Sequence, residues 1–227
     1  MFIRHWMDCD IQVTHGRLRD WIIFKRRVGN LPNKDTGEVM YNLNYYSRAI
    51  LLDGVTTMPT THDDEVEFMF IIAGQGSIKA GDEERELRDG TSLRIPAGCS
   101  HVITNTGVEE LEMLTMRRPS KPEDEKFELH NWREAGHSGQ GHWYHIYKGP
   151  FVGFHSGTIP PRKISEPHGH HPNFDELWYI YKGQGWHWMG RELHPQYPGW
   201  ALWLVPEETH SLINPSDEPI EYIYIAG

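Results

Sequence analysis

The chain has 227 residues, 38% hydrophobic and 24% charged, with a formal net charge of −10. That length suits one large domain or two small ones, with enough apolar material for buried cores. The acidic balance excludes a phosphate-backbone partner, so nucleic acid is not expected, and no apolar run is long enough to cross a membrane.

Residues 1–10 lack the apolar stretch and cleavage site of a secretory signal. Only Cys9 and Cys99 occur, too few for a disulfide framework, so a reducing cytoplasm is expected. Short runs rich in aromatic and β-branched residues follow, each bounded by Gly, Pro, Asn or Asp. Examples are residues 21–24, 67–72, 151–155, 177–181, 200–205 and 222–225. Long helical patterns are nearly absent, and this spacing predicts an all-β sandwich or barrel. Residues 117–128 carry two prolines and dense charge, which predicts a solvated connector. The polar, Gly-rich residues 132–141 predict a loop. A boundary there divides the chain into residues 1–120 and 121–227.

The chain also repeats itself. At an offset of 109 residues, Glu67 falls on Glu176, Gly90 on Gly199, His101 on His210 and Asn105 on Asn214. The Gly74-Gln75-Gly76 run falls on Gly183-Gln184-Gly185, and His62 falls on His171. So many coincidences at one offset predict two copies of one barrel.

The 15 histidines are the compositional oddity, and they cluster at these landmarks. In the first copy stand Gly54, Thr60, His62, Glu67 and Gly74, then Gly90, Pro96, Gly98, His101 and Asn105. In the second stand His168, Gly169, His170, His171, Glu176 and Gly183, then Gly199, Pro206, Glu208, His210 and Asn214. Alternate residues of a strand share a face, so an H-x-H pair can send two imidazoles into a barrel interior. Three imidazoles and a carboxylate suit Fe, Mn, Ni, Cu, Co or Zn.

These residues resemble the two conserved motifs of the cupin superfamily, over residues 48–115 and 155–225. Residues 1–47 lie outside the resemblance. It implies two tandem cupin barrels (double-stranded β-helix, or jelly roll) and one divalent transition metal per working barrel. In the second barrel it implies ligands among His168, His170, His171, Glu176 and His210. The H-x-H reading selects His168 and His170, while the gap-free repeat selects His171. In the first barrel it implies His62, Glu67 and His101. Thr60 stands where the leading histidine belongs, so either an open two-histidine set or a decayed, hydrogen-bonded site is expected there.

Eight aromatic residues on the second copy's strands, Trp178 and Trp203 among them, predict core packing with some lining a pocket. His187 and His194 are expected to be surface or hydrogen-bonded residues. Nothing resembles a nucleophile elbow, a P-loop or a dinucleotide fingerprint, so no organic cofactor is expected. These features point to a metal-dependent enzyme for a small metabolite, of dioxygenase type. An isomerase or lyase for a sugar-derived substrate and a non-catalytic binding protein are the alternatives. The uncovered N-terminal arm could pair with a neighbouring copy, which predicts a homodimer.

Overall fold

The computed structural model describes residues 1–123, 125–134, 143–148 and 153–226, without the side chains of 143–148 and 153–155. The first strands are β1 (Phe2–His5), β2 (Ile11–Thr14), β3 (Leu18–Arg26), β4 (Glu38–Met40), β5 (Tyr45–Leu51) and β6 (Glu65–Ala73). Then come β7 (Gln75–Ala80), β8 (Glu83–Arg88), β9 (Thr91–Ile95), β10 (His101–Asn105), β11 (Leu111–Pro119) and β12 (Glu128–Asn131). The later strands are β13 (Trp143–Lys148), β14 (Gly153–Ile159), β15 (Glu176–Lys182) and β16 (Gly185–Met189). The series ends with β17 (Glu192–Gln196), β18 (Trp200–Trp203), β19 (His210–Ile213) and β20 (Ile220–Ala226). One short 3-10 turn, Trp6–Asp8, is the only helix among the described residues. The all-β architecture expected from the turn-bounded runs is the one observed.

The strands form two compact units, one of Cys9–Glu134, the other of Met1–Asp8 with Ala135–Gly227. In the first unit a large sheet runs β12-β9-β6-β11-β5-β3-β2, with β4 beside β3, and a small sheet runs β10-β7-β8. In the second a sheet runs β1-β18-β15-β20-β14-β13, with a small sheet β17-β16-β19. Every pairing is antiparallel except β3 with β4. A large and a small sheet around one interior make the jelly-roll plan.

Period-2 alternation fills each interior. In the first unit Met69 and Ile71 of β6, Leu93 and Ile95 of β9, and Leu111 and Met113 of β11 form one buried cluster. In the second, Trp178 and Ile180 of β15, Leu202 of β18, and Ile220, Tyr222 and Tyr224 of β20 do the same. The repeated Gly-Gln-Gly runs are strand turns. At Gly74 (φ +88°) a Cβ would lie 2.4 Å from the carbonyl oxygen of Glu110. At Gly183 (φ +78°) it would lie 2.5 Å from that of Pro219, so both the sign of φ and the space demand glycine. The repeated asparagines are clips. Asn105 Nδ2 donates to the carbonyls of Leu51 and Glu109, and Asn214 Nδ2 to those of Ile159, Pro160 and Glu218.

Three local expectations change. The segment predicted as a solvated connector is partly packed, because its charges pair with each other. Glu125 is nearly buried and accepts from Arg118 and, at 2.7 Å, from Arg94, and the chain then returns along β9 as β12. The N-terminal arm is built into the sheets. Residues 11–26 supply β2 and β3, while Phe2–His5 pairs with Trp200–Trp203. Thus the first eight residues go with the second unit, where the sequence suggested the first. His187, expected at the surface or hydrogen-bonded, is fully buried, and neither ring nitrogen has a partner. Much of the predicted loop at 132–141, and residues 151–152 of one predicted strand, lie outside the described residues.

Candidate metal centres

In the second unit His168, His170, Glu176 and His210 converge, with one ligand atom from each within 4.8 Å of every other. Glu176 opens β15 and His210 opens β19. A backbone bridge ties His168 to His210, so the H-x-H segment is held against β19 as an extra pair of rungs. His170 Nε2 lies 2.5 Å and His210 Nε2 3.0 Å from Glu176 Oε2, while His168 Nε2 is 4.0 Å from Oε1. His171 is outside the cluster, with its ring edge-on to Phe174.

Backbone pairing explains why the gap-free repeat misleads at that histidine. Gly98 N donates to the carbonyl of His62, and Glu207 N donates to that of His170, both at 2.8 Å. His170 is therefore the counterpart of His62, and the turn before Glu176 carries one extra residue. Glu207 (φ +70°) also stands where Gly98 (φ +75°) stands in the first copy.

In the first unit His62, Glu67 and His101 converge, and a residue that the sequence did not single out joins them. His15, in the turn between β2 and β3, brings Nε2 to 3.2 Å from Glu67 Oε2 and 3.1 Å from His101 Nε2. His62 Nε2 and His101 Nε2 each lie 3.3 Å from the same carboxylate oxygen. Cys99 is not in the cluster, and burial raises its thiol pKa.

Both clusters suit an ion by three tests. Metal–ligand bonds of about 2.1 Å set adjacent ligand atoms about 3 Å apart, which matches most of the spacings above. The ring orientations are also right. Nδ1 of His101, His168 and His210 faces the carbonyls of Cys99, Glu166 and Glu208 at 3.2, 2.9 and 3.1 Å. Nδ1–H donation there leaves the Nε2 lone pair aimed at the centre. Finally, His62 Nε2, His170 Nε2, His210 Nε2 and Glu176 Oε2 are buried without a well-formed hydrogen bond.

The carboxylates are ionised. Burial alone would raise Glu176, but the close imidazoles of His170 and His210 outweigh it and hold the carboxyl well below its usual range. Glu67 is lowered likewise, its burial outweighed by His15, His101 and His62. Burial lowers His210 and the neighbouring Glu176 carboxylate raises it, for a net rise. Trp178 Nε1–H donates to Glu176 Oε1 at 2.7 Å, which fixes that oxygen and leaves Oε2 for the centre.

Behind the second cluster the interior is aromatic and polar. Trp178 stacks flat on Tyr222 at 4.5 Å, and the His187 ring lies 5.2 Å from Trp178 and 6.0 Å from His210. Gln196, on β17, is fully buried as well, with neither side-chain polar atom bonded. Two aromatics of this unit, Trp186 and Tyr197, are exposed and line a shallow surface cleft, in keeping with the expectation that only part of the set faces inward.

Two jelly rolls, each with a three-histidine, one-glutamate cluster inside, are the build of a two-domain cupin, and the chain belongs to that superfamily. Residues 50–117 match the family model described as Cupin domain, and residues 159–226 match the AraC-like ligand binding domain. The fold is similar to variants of Bacillus subtilis oxalate decarboxylase OxdC. One has a TM-score of 0.75 and 14% identity, covering 99% of this chain and 76% of that one. It is also similar to AerE from Microcystis aeruginosa, with a TM-score of 0.74 and 13% identity over 96% and 95% of the two chains. No curated protein matches the chain in sequence. No helix among the described residues is long and apolar enough to cross a membrane.

Proposed function

We propose that the second barrel is the active site of a metal-dependent enzyme for a small, oxygen-rich metabolite, acting by dioxygenase-type oxidation. The observation that carries this reading is the openness of its cluster. The His168 and His170 side chains are 29% and 25% exposed, so this edge of the cluster faces solvent. His168, His170, Glu176 and His210 would hold a divalent transition metal. When bound, such an ion supplies Lewis acidity and, for a redox-active metal, activation of O2.

The chain's own groups do the rest. Glu176 stays ionised and is steered by Trp178, and carbonyl contacts hold the ligand rings in place. His187 remains neutral, since burial pushes its pKa down to about 3. Its ring nitrogens offer uncommitted hydrogen bonds to ligand oxygens. The Trp178–Tyr222 stack packs the interior and so fixes the Trp178 indole that holds Glu176.

Two further readings each have an observation behind them. Likeness to oxalate decarboxylase supports a metal-dependent lyase or isomerase without net oxidation. The AraC-like ligand-binding match over residues 159–226 supports a non-catalytic binding role. Metal-loaded protein with small hydroxy-, keto- and sugar-acids in an oxygen electrode separates them. Oxygen uptake matched to product supports the dioxygenase reading. Turnover that persists without oxygen supports the lyase or isomerase, and binding without turnover the third.

The reading includes a homodimer, supported by exposed Ile11 and Val13 on edge strand β2 and tested by solution mass. It also includes a cytoplasmic setting, supported by a sequence with only two cysteines.

A further inference from the structure

We infer that the first barrel is also a metal centre, with His15 filling the coordination place that Thr60 leaves empty, and that its ion fastens the β2–β3 hairpin over the barrel.

Thr60 holds the same backbone station as His168. It bridges to His101 as His168 bridges to His210. Its hydroxyl, however, is committed to the carbonyl of Met58, to which it donates at 3.1 Å. The missing imidazole arrives from outside both cupin motifs. His15 sits in a tight turn with φ +49°, followed by Gly16 at φ +71°. A left-handed histidine is uncommon, and here it aims the ring inward. The turn is docked as well. Met58 N donates to the His15 carbonyl at 2.8 Å, and Arg17 donates to the carbonyl of Thr56 at 3.2 Å. Met58 lies so close under Gly16 that a Cβ there would be 2.5 Å from its side chain.

Accessibility separates this centre from the second one. The His15 and His101 side chains are 3% and 0% exposed, and His62 is 17% exposed. Three buried side chains and a fourth only 17% exposed, with a loop drawn across them, describe a closed site, whose ion stabilises the fold and leaves little room for substrate. The inference does not depend on the reading of the second barrel.

The test is cobalt(II) alone, titrated into metal-stripped full-length protein and counted by elemental analysis, with visible absorption reporting coordination. Wild type is expected to bind about two equivalents, and His15→Asn about one. Asparagine tolerates the left-handed turn, so the variant should fold, and an unchanged circular dichroism spectrum checks this. His15→Asn/Thr60→His should return to about two, because the motif histidine is restored. Metal should also slow tryptic cleavage at exposed Arg17 and Arg19 by about tenfold in wild type and not in His15→Asn. A His15→Asn protein that still binds two equivalents overturns the inference. So does a wild type whose sole equivalent vanishes in His210→Ala, an outcome that leaves the second-barrel reading standing.

Discussion

The two barrels reach the same cluster by different routes. In the second, all four converging residues come from the repeated motifs: His168 and His170 from one extended segment, Glu176 and His210 from strand starts. In the first, one comes from a hairpin turn more than forty residues upstream of its partners. What is preserved is a point in the interior on which three imidazoles and a carboxylate converge; the chain segment that delivers each is free to change. The routes also leave different exposure, since a hairpin covers the first cluster while His168 and His170 of the second are 29% and 25% exposed.

The largest expected effect tests that difference in exposure. His210→Ala should lower activity by more than about a hundredfold, since even outer-sphere changes cost 10–100-fold at metal sites. His101→Ala should leave kcat close to wild type while lowering the thermal midpoint. Equal loss of activity in both variants would end the division of roles.

A second experiment uses the opposite acid–base characters of the interiors. In the second barrel, His187 is neutral with a pKa lowered to about 3. Its unfolded form binds a proton that the folded form refuses, so its contribution is present above about pH 6.5 and is lost as pH falls toward 3. In the first barrel, burial pushes the Asp20 carboxyl up to about 7, against weaker lowering by its bonds from Ser47 and Thr14. Its contribution runs the other way, full below about pH 4 and lost as pH rises through 7. Urea midpoints should show His187→Leu gaining most on wild type in acid and Asp20→Asn gaining most above pH 7. Parallel profiles would refute the assignment.

Smaller effects test the structural repeat. Gly74→Ala and Gly183→Ala each force a side chain into a left-handed turn and against a carbonyl. Each should cost about 1–3 kcal/mol in denaturant titrations. Asn105→Ala and Asn214→Ala should cost about 1–3 kcal/mol by releasing the carbonyls they clip. Unequal costs within either pair would reveal where the repeat has diverged in stability.

The fold and most of the second cluster were legible in the sequence because their signals are local. Turn glycines, alternation and H-x-H spacing act within a few residues. The histidine ambiguity arose because a turn can absorb one residue without moving the strands on either side. His15 was not legible, because its role depends on how β2 and β3 dock on residues 56–58, and no nearby spacing encodes that. Its one local mark is a histidine directly before a glycine in a strand-bounded turn. His187 was misjudged for a related reason. Two strand faces alternate, and nothing in the run Trp186-His187-Trp188 says that the histidine takes the inner one.

The placement of Phe2–His5 has a consequence for how the molecule is made. These residues leave the ribosome long before Trp200–Trp203, the strand they pair with, and a whole domain is synthesised in between. The second barrel's sheet edge therefore cannot close in order of synthesis, and the leading strand must wait unpaired. Expression tags fused ahead of Met1 would join the chain beside this strand, so a tag that frays the β1 pairing should disturb the second domain while sparing the first.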